Sequence, residues 1–480
     1  MNGLPATFGS RPMETLMTHP VVDALRAAIG PAAVLVDGDI DERFLLDVLG
    51  NRGEAPLAVV RPASTDEVSK TLAICNDLGV AVVPQGGRTG LVRATLPQRG
   101  EVVLAMERMN RIEHIDVDAG TAIVQAGVVL QALHDALEPH GLAFPLDLGG
   151  RGSCTIGGNI STNAGGNRVI RYGMARDQVL GLEAVLADGT VLDGLKPFIK
   201  NNTGIDLKHL FIGSEGVLGV VTRLALRLIP RPAAASVAFC GLSDFAAVRA
   251  LLRHLRARLS GDLTAFEVLW KDYYTRYLTL HQGAVPMPDA HEFYVLVESS
   301  AGDDEASQAR FEQALHDAID EGIVADAVVA KSGVESNTLW TMRDMALEVG
   351  MTLGSHCGFD VSLRIADMDA FANELADAAR KLHPDSRVLV YGHAGDGNLH
   401  VAFSRPPDMQ QTFEDINAVV YGLVARLGGS TSAEHGIGMS RRAWLGHTRT
   451  PAEIEAMRAI KRTLDPRNTL NPDRIFARRD

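Results

Sequence analysis

Residues 145–173 read PLDLGGRGSCTIGGNISTNAGGNRVIRYG. A run this dense in glycine is either a disordered linker or a place where the backbone must come close to something else. Ile156, Ile160, Val169 and Ile170 punctuate it, which a linker does not need. Thr155, Asn159, Ser161, Thr162 and Asn163 interleave with the glycines. Glycine lets a flat ligand approach the chain, and small polar side chains and amides can hydrogen-bond its edge. The run is therefore expected to line a binding site.

Two shorter segments share the texture. Pro84-Gln85-Gly86-Gly87-Arg88-Thr89-Gly90 follows the apolar strand GVAVV. Adjacent glycines can turn several N–H groups to one side, a concave site for an anion such as a pyrophosphate. Taken alone, the segment is equally a tight strand-to-loop turn. The third segment, FIGSEGVLGVV at 211–221, reads as a turn leading into a strand. None is a GxGxxG at a strand-to-helix turn, and no GxxxxGK[ST] occurs, so neither a Rossmann NAD site nor a P-loop is supported.

At 480 residues the chain is long enough for two or three domains. Residues 1–53 read as a leader with two short helices, VVDALRAAIG and DERFLLDVLG. From 54, strand-like runs (PLAVVR, GVAVVPQ, GEVVLAM, TAIVQAG) alternate with helical ones. The helix at 64–79 opens on Ser64-Thr65-Asp66-Glu67 and closes at Gly79. Ile229-Pro230-Arg231-Pro232 marks a boundary. Beyond it come the helices DFAAVRALLRHLRARLS and DEASQARFEQALHDAIDEG, with the strand EFYVLVESS between them. A closing part, 405–480, has a helix near 412–427 and a last one at AEIEAMRAIKRTLD. This is α+β or α/β texture.

The net charge of −13 argues against nonspecific nucleic-acid binding. No apolar run approaches the roughly 18–20 residues of a membrane span, and the N-terminus lacks the pattern of a secretory signal. The four cysteines are scattered with no CxxC pair, against a disulfide framework, an iron–sulfur cluster or a cysteine zinc site. A cytoplasmic location is expected.

Residues 390–403, VYGHAGDGNLHVAF, read as a hairpin with His393 and His400 flanking the turn. Residues opposed across such a pair have Cβ atoms about 4.5–5.5 Å apart, so two imidazoles there could share a divalent cation. Catalytic metal sites commonly combine two histidines with one carboxylate and keep positions open. Glu434, in SAEHGIG after Gly428-Gly429, is the candidate carboxylate. On residue types alone, an incidental histidine pair remains the simpler reading.

PQGGRTG, TIGGNISTNAGG, GSEGVLGVVT, GHAGDGNLH, EHGIG and a terminal LNP occur in this order. As a set they resemble the flavoproteins of the vanillyl-alcohol-oxidase type over about residues 54–476. The branch resembled contains D-2-hydroxyglutarate dehydrogenase and FAD-dependent D-lactate dehydrogenase, with the glycolate-oxidase large subunit nearby. The resemblance implies an α+β fold. It would comprise a PCMH-type FAD-binding domain at 54–232, a ferredoxin-like antiparallel-sheet substrate domain at 233–404, and a C-terminal helical segment at 405–480 returning to the flavin.

It also implies noncovalent FAD. Pro84, Gly86, Gly87, Arg88, Thr89 and Gly90 would bind its pyrophosphate. Leu148, Gly149, Thr155, Gly158, Asn159, Thr162 and Gly165 would line the isoalloxazine, ribityl and phosphate regions. Glu215, Gly219 and Val221 would lie along the ribityl–adenine part, and Asn471 would return from the tail. His393, His400 and Glu434 match metal ligands, for Zn²⁺ or else Mn²⁺ or Fe²⁺. His435 matches the base that touches the substrate hydroxyl, and Arg343, in Trp340-Thr341-Met342-Arg343, matches a substrate-anion arginine.

The implied reaction oxidises a D-2-hydroxy acid to the 2-oxo acid, with hydride passing from C2 to flavin N5. An external electron-transfer protein, cytochrome or quinone would take the electrons, and a homodimer is compatible with the pattern. Three positions depart from the hydroxyglutarate enzymes: Leu347 where they have Thr, Gly358 where they have Lys, and Ala402 where they have Asn. The changes remove a charge and two hydrogen-bonding groups, so a monocarboxylate, D-lactate-like or larger, is expected over D-2-hydroxyglutarate. A D-2-hydroxyglutarate dehydrogenase and a flavin-binding subunit of a glycolate-oxidase-like complex are the alternatives.

Overall fold

Short runs of valine, isoleucine and leucine pair into three main sheets in the computed structural model, which describes residues 19–232, 235–259, 261–281, 285–300 and 305–477. The first sheet orders its strands Val34–Leu35, Ala58–Val60, Val102–Ala105, Val82–Gln85. The last three run parallel, and their near-continuous apolar sequence fits strands covered on both faces. Helix Thr65–Asp77 crosses between them, its first turn capped by Ser64 Oγ accepting from the Glu67 amide. The second sheet is antiparallel, in the order Ile112–Asp116, Thr121–Gln125, Val220–Arg227, Val179–Val185, Val191–Gly194. One apolar core joins both sheets to Val21, Val22 and Leu25 of helix Pro20–Ile29 and to Leu470 of the C-terminal tail.

The third sheet has seven strands, all antiparallel, in the order Asp326–Val329, Ser236–Leu242, Phe293–Ser299, Leu263–Trp270, Val388–Gly392, Asn398–Ser404, His356–Ser362. Its residues alternate between two cores: Ala238 and Cys240 face one, Val237 and Phe239 the other. Leu251, Phe311, Phe371 and Val420, from four helices, cover the first face. Tyr273, Tyr274, Leu339 and Met342 cover the second. The α+β expectation and the expected antiparallel sheet within 233–404 agree with this architecture.

The leader departs from expectation. DERFLLDVLG forms only the 3-10 turn Glu42–Phe44 and then doubles back through a Leu46–Arg52 bridge. Asp47 is the cause. Its Oδ1 accepts from the amides of Leu49 (3.0 Å) and Asn51 (2.9 Å), bending the chain where a helix would have continued. Residues 1–18 lie outside the described residues. Among the described residues no helix is long and apolar enough to cross a membrane.

Arg168 ties the third sheet to the glycine-rich run. Arg168 donates to Glu298 at 2.8 and 3.1 Å and to Asp147 at 2.7 Å. Glu298, buried on strand Phe293–Ser299, also accepts from Trp340 Nε1 at 3.0 Å. Trp340 belongs to helix Gly333–Asp344, which carries Arg343. Removing one partner of a buried charge cluster typically costs about 3–5 kcal/mol. R168A is accordingly expected to lower the melting temperature by several degrees, read by a thermal scan.

Candidate active site

The histidine hairpin is built as strands Val388–Gly392 and Asn398–Ser404. Its two imidazoles are not cross-strand partners. His400 pairs with Tyr391 on one side and Asp360 on the other, while His393 sits in the turn just past Gly392. Gly392 has φ +146, and a Cβ there would meet Asn398 O at 2.8 Å, so only glycine makes this turn without strain. The rings still converge, with centroids 5.2 Å apart and nearly perpendicular. Their Nε2 atoms each lie 3.9 Å from Glu434 Oε2.

Glu434 and His435 stand on an irregular stretch after helix Phe413–Arg426. Asp360 holds that stretch: its Oδ2 accepts from the amides of Glu434 (2.9 Å) and His435 (3.0 Å), and its Oδ1 accepts from Asn398 Nδ2 (2.8 Å). Burial alone would raise the Asp360 carboxyl. The His435 imidazole, the Arg441 guanidinium and the bonded amides outweigh that and hold it well below the usual carboxylate range. From the other side, Glu434 Oε1 accepts from the Gly166 amide at 2.9 Å. A Cβ on Gly165 would fall 2.5 Å from that same oxygen, so Gly165 is small here because Glu434 needs the room.

Asp360, His400, Glu434 and His435 each offer a ligand atom within 4.8 Å of the others. A second set, His393, His400 and Glu434, shares two members with it. The oxygens of Asp360 are already taken by amide donors, so the second set has the better donor chemistry for a divalent cation: two imidazole nitrogens and one carboxylate oxygen.

Arg343 is buried. Its Nε donates to Glu267 Oε2 at 2.7 Å, its Nη2 lies 3.1 Å from His393 Nε2, and its guanidinium sits over the Tyr391 ring at 5.1 Å. Glu267 Oε1 stands 2.5 Å from His393 Nδ1. Burial depresses the His400 imidazole well below its ordinary range, helped by Arg343 and His393. Burial also lowers His435, opposed by Asp360, whose Oδ2 is 3.6 Å from His435 Nδ1.

The glycine segments line a narrow cleft. Pro84, Gly86, Thr155, Gly158 and Thr162 line one part of it. Glu215, Gly219, Val221 and Asn471 line the rest. Close packing explains several glycines: a Cβ on Gly86 would meet Thr155 Oγ1 at 2.5 Å, and one on Gly87 would meet Ser153 O at 2.1 Å. Gln85 Oε1 and Asn471 Oδ1, both on cleft-lining residues, are buried acceptors without a partner. Such atoms cost about 1–3 kcal/mol each, and a ligand with hydroxyl, amide or amine donors, as FAD has, would relieve them.

Other sequence-predicted residues stand back from the cleft lining. Gly87 packs beneath Ser153, and Arg88 Cζ lies 5.5 Å from the centre of the Phe44 ring. Thr89 neighbours Gly150, and a Cβ on Gly90 or Gly149 would meet nothing within 4 Å. Asn159 Nδ2 points at Cys154 Sγ, and Leu148 packs partly into the core.

The Glu215 carboxylate is spoken for: it accepts from the amides of Ile437 (2.7 Å) and Gly438 (2.8 Å). It thus bolts the His435 loop to the cleft. Asn471 comes back from the tail, donating through Nδ2 to Glu215 O at 2.8 Å and through its amide to Val82 O at 2.7 Å. A second, open cavity lies beside Arg151, Arg168 and Glu298, and none of the sequence-predicted residues line it.

Glu267, Asp360, Gly166 and Arg441 are not among the residues expected from sequence. One signal was available for Glu267: a lone acid inside the apolar strand LTAFEVLW.

Comparison with known proteins identifies the family. A domain described as the C-terminal domain of FAD-linked oxidases matches residues 231–475, and an FAD-binding domain matches 56–194. D-2-hydroxyglutarate dehydrogenase of Xanthomonas citri pv. viticola is 38% identical over 472 residues, covering 97% of this chain and 98% of that one. The mitochondrial D-2-hydroxyglutarate dehydrogenase of Bos taurus is 38% identical over 447 residues, covering 93% and 81%. Among solved structures, p-cresol methylhydroxylase with bound substrate superposes with a TM-score of 0.76 at 18% identity, covering 95% of this chain and 96% of that one, a likeness of fold.

Proposed function

The chain belongs to the FAD-linked oxidases and is an FAD-dependent 2-hydroxyacid dehydrogenase; on that premise we propose that it oxidises a D-2-hydroxy monocarboxylate with the help of a divalent cation. The observation that carries the proposal is the placement of Glu434. It reaches both hairpin imidazoles at 3.9 Å while its other oxygen rests on the Gly166 amide, beside the glycine-rich run.

His393, His400 and Glu434 would hold the cation. Pro84, Gly86, Thr155, Gly158, Thr162, Glu215 and Asn471 would stand along FAD. When bound, FAD accepts two electrons and the C2 hydrogen, and a divalent cation supplies Lewis acidity at the substrate oxygens. The remaining work falls to the chain's own side chains. Arg343 pairs with the substrate carboxylate, a match its planar guanidinium suits. His435 takes the hydroxyl proton; burial keeps its imidazole neutral beforehand, and the Asp360 carboxylate beside it steadies the charge once the proton arrives. Asp360 and Glu215 fix the loop bearing Glu434 and His435 from two directions. D360N is expected to lower kcat/KM by about 10–100-fold with FAD content unchanged, measured by steady-state kinetics and flavin absorbance.

The substrate preference rests on three positions. Ala402 lies two residues beyond His400 on one strand, hence on the same face, and Gly358 is its cross-strand partner. A Cβ on Gly358 would meet nothing within 4 Å, so packing does not demand glycine there. Leu347, one turn beyond Arg343, is 64% exposed. None of the three offers a charge or a hydrogen bond to a distal carboxylate.

The names of the relatives favour a second reading, D-2-hydroxyglutarate. A kcat/KM panel separates the two. D-lactate or a larger monocarboxylate is expected to exceed D-2-hydroxyglutarate, and G358K/A402N is expected to raise the latter's kcat/KM about tenfold or more, since charge-assisted hydrogen bonds contribute roughly 1.5–3 kcal/mol each. D-2-hydroxyglutarate as clearly the best substrate of the unaltered enzyme would overturn the preference. The electrons are taken, in this reading, by an external electron-transfer protein, cytochrome or quinone. The free thiols of Cys75, Cys154, Cys240 and Cys357 support a reducing compartment, the cytoplasm in this reading.

A further inference from the structure

We infer that Glu267 is a positioning residue that prepares both substrate anchors at once, setting the His393 tautomer for a divalent cation with one oxygen and aiming the Arg343 guanidinium with the other. This rests on the reading of His393 as a cation ligand given above. Glu267 lies mid-strand in Leu263–Trp270 with no exposure to solvent. A buried carboxylate without partners would be strongly destabilising, and this one has two, on different elements. Oε1 is 2.5 Å from His393 Nδ1 in the hairpin, and Oε2 is 2.7 Å from Arg343 Nε on helix Gly333–Asp344.

The third side of this triangle decides the tautomer. Arg343 Nη2 lies 3.1 Å from His393 Nε2. A guanidinium has donors and no acceptor, so His393 Nε2 must be the accepting, bare nitrogen. The ring proton therefore sits on Nδ1 and is donated to Glu267. That is the tautomer a metal-ligating imidazole needs, with a carboxylate behind it raising its basicity. The bare Nε2 faces Glu434 Oε2 at 3.9 Å.

Arg343 and a cation then contend for one lone pair. The Glu267 hydrogen bond to Nε keeps the base of the guanidinium in place whichever of them holds Nε2. Loss of Glu267 should weaken both anchors, whereas loss of Arg343 should weaken the anion anchor only.

The test is a competition titration of Zn²⁺ against a chromophoric chelator, on flavin-loaded full-length protein stripped of metal, alongside substrate KM. E267Q, which keeps the shape and loses the charge, is expected to bind Zn²⁺ about 10–100-fold more weakly and to show a raised KM. R343M is expected to keep wild-type Zn²⁺ affinity or exceed it, with a raised KM. E267Q leaves Arg343 buried without its counter-charge, so E267Q/R343M, which removes both charges, guards against misfolding. Compared with R343M it should show the same 10–100-fold loss. Wild-type protein that retains Zn²⁺ together with E267Q/R343M binding it as tightly as R343M would overturn the role of Glu267 alone. Wild-type protein that retains no divalent cation would overturn this inference together with the reading beneath it.

Discussion

H400A should purify yellow and folded, and its flavin should be reduced by D-2-hydroxy acids about a thousandfold more slowly than in the wild type. The imidazole removed is one of three groups converging on the proposed cation position, and it stands 3.9 Å from Glu434 Oε2. Cation stabilisation of developing charge is a matter of several kcal/mol, and each 1.4 kcal/mol or so is tenfold in rate. FAD binding should survive, because His400 is on the third sheet and does not line the cleft between the glycine segments. Stopped-flow flavin bleaching and metal analysis on the same sample check both halves. A variant that lost its flavin as well would place His400 in a different role.

H435N should lose roughly 10²–10⁴-fold in the rate of flavin reduction while keeping its metal content. Asparagine retains polar bulk and cannot take up a proton. The cation set of His393, His400 and Glu434 does not include His435, and the Glu434 amide is held independently by Asp360 at 2.9 Å. Unaltered metal with slow reduction is the signature of a lost base. Concurrent loss of metal would instead move His435 into the ligand set formed with Asp360, His400 and Glu434.

Sequence gave access to local features and stopped where partners are remote. The strands at 58–60, 82–85, 102–105 and 121–125 were readable because each is a short apolar run bounded by turn residues. Helix Thr65–Asp77 was readable because Ser64 and Glu67 announce its start. DERFLLDVLG misled because its apolar spacing fits a helix while Asp47 spends its carboxylate on a turn.

The hairpin was legible, but its geometry was not: the two imidazoles meet from the turn and the strand, where an opposed cross-strand pair was expected. Glu267 was out of reach for a plainer reason. Its partners lie 76 and 126 residues away in the chain, and no local pattern says which buried acid faces which arginine and histidine. Asp360 is alike, spanning 74 and 75 residues to the amides it holds. Glu215 was expected only beside a cofactor, and its carboxylate instead fastens the loop that follows His435.

The most direct measurement is anaerobic flavin bleaching by D- and L-2-hydroxy acids, run on the purified protein, on the same protein after chelation, and again after Zn²⁺ is restored. Bleaching by the D enantiomers that is lost on chelation and returns with the cation is the predicted result. Full-rate bleaching without any divalent cation, or no bleaching by any 2-hydroxy acid, would contradict it.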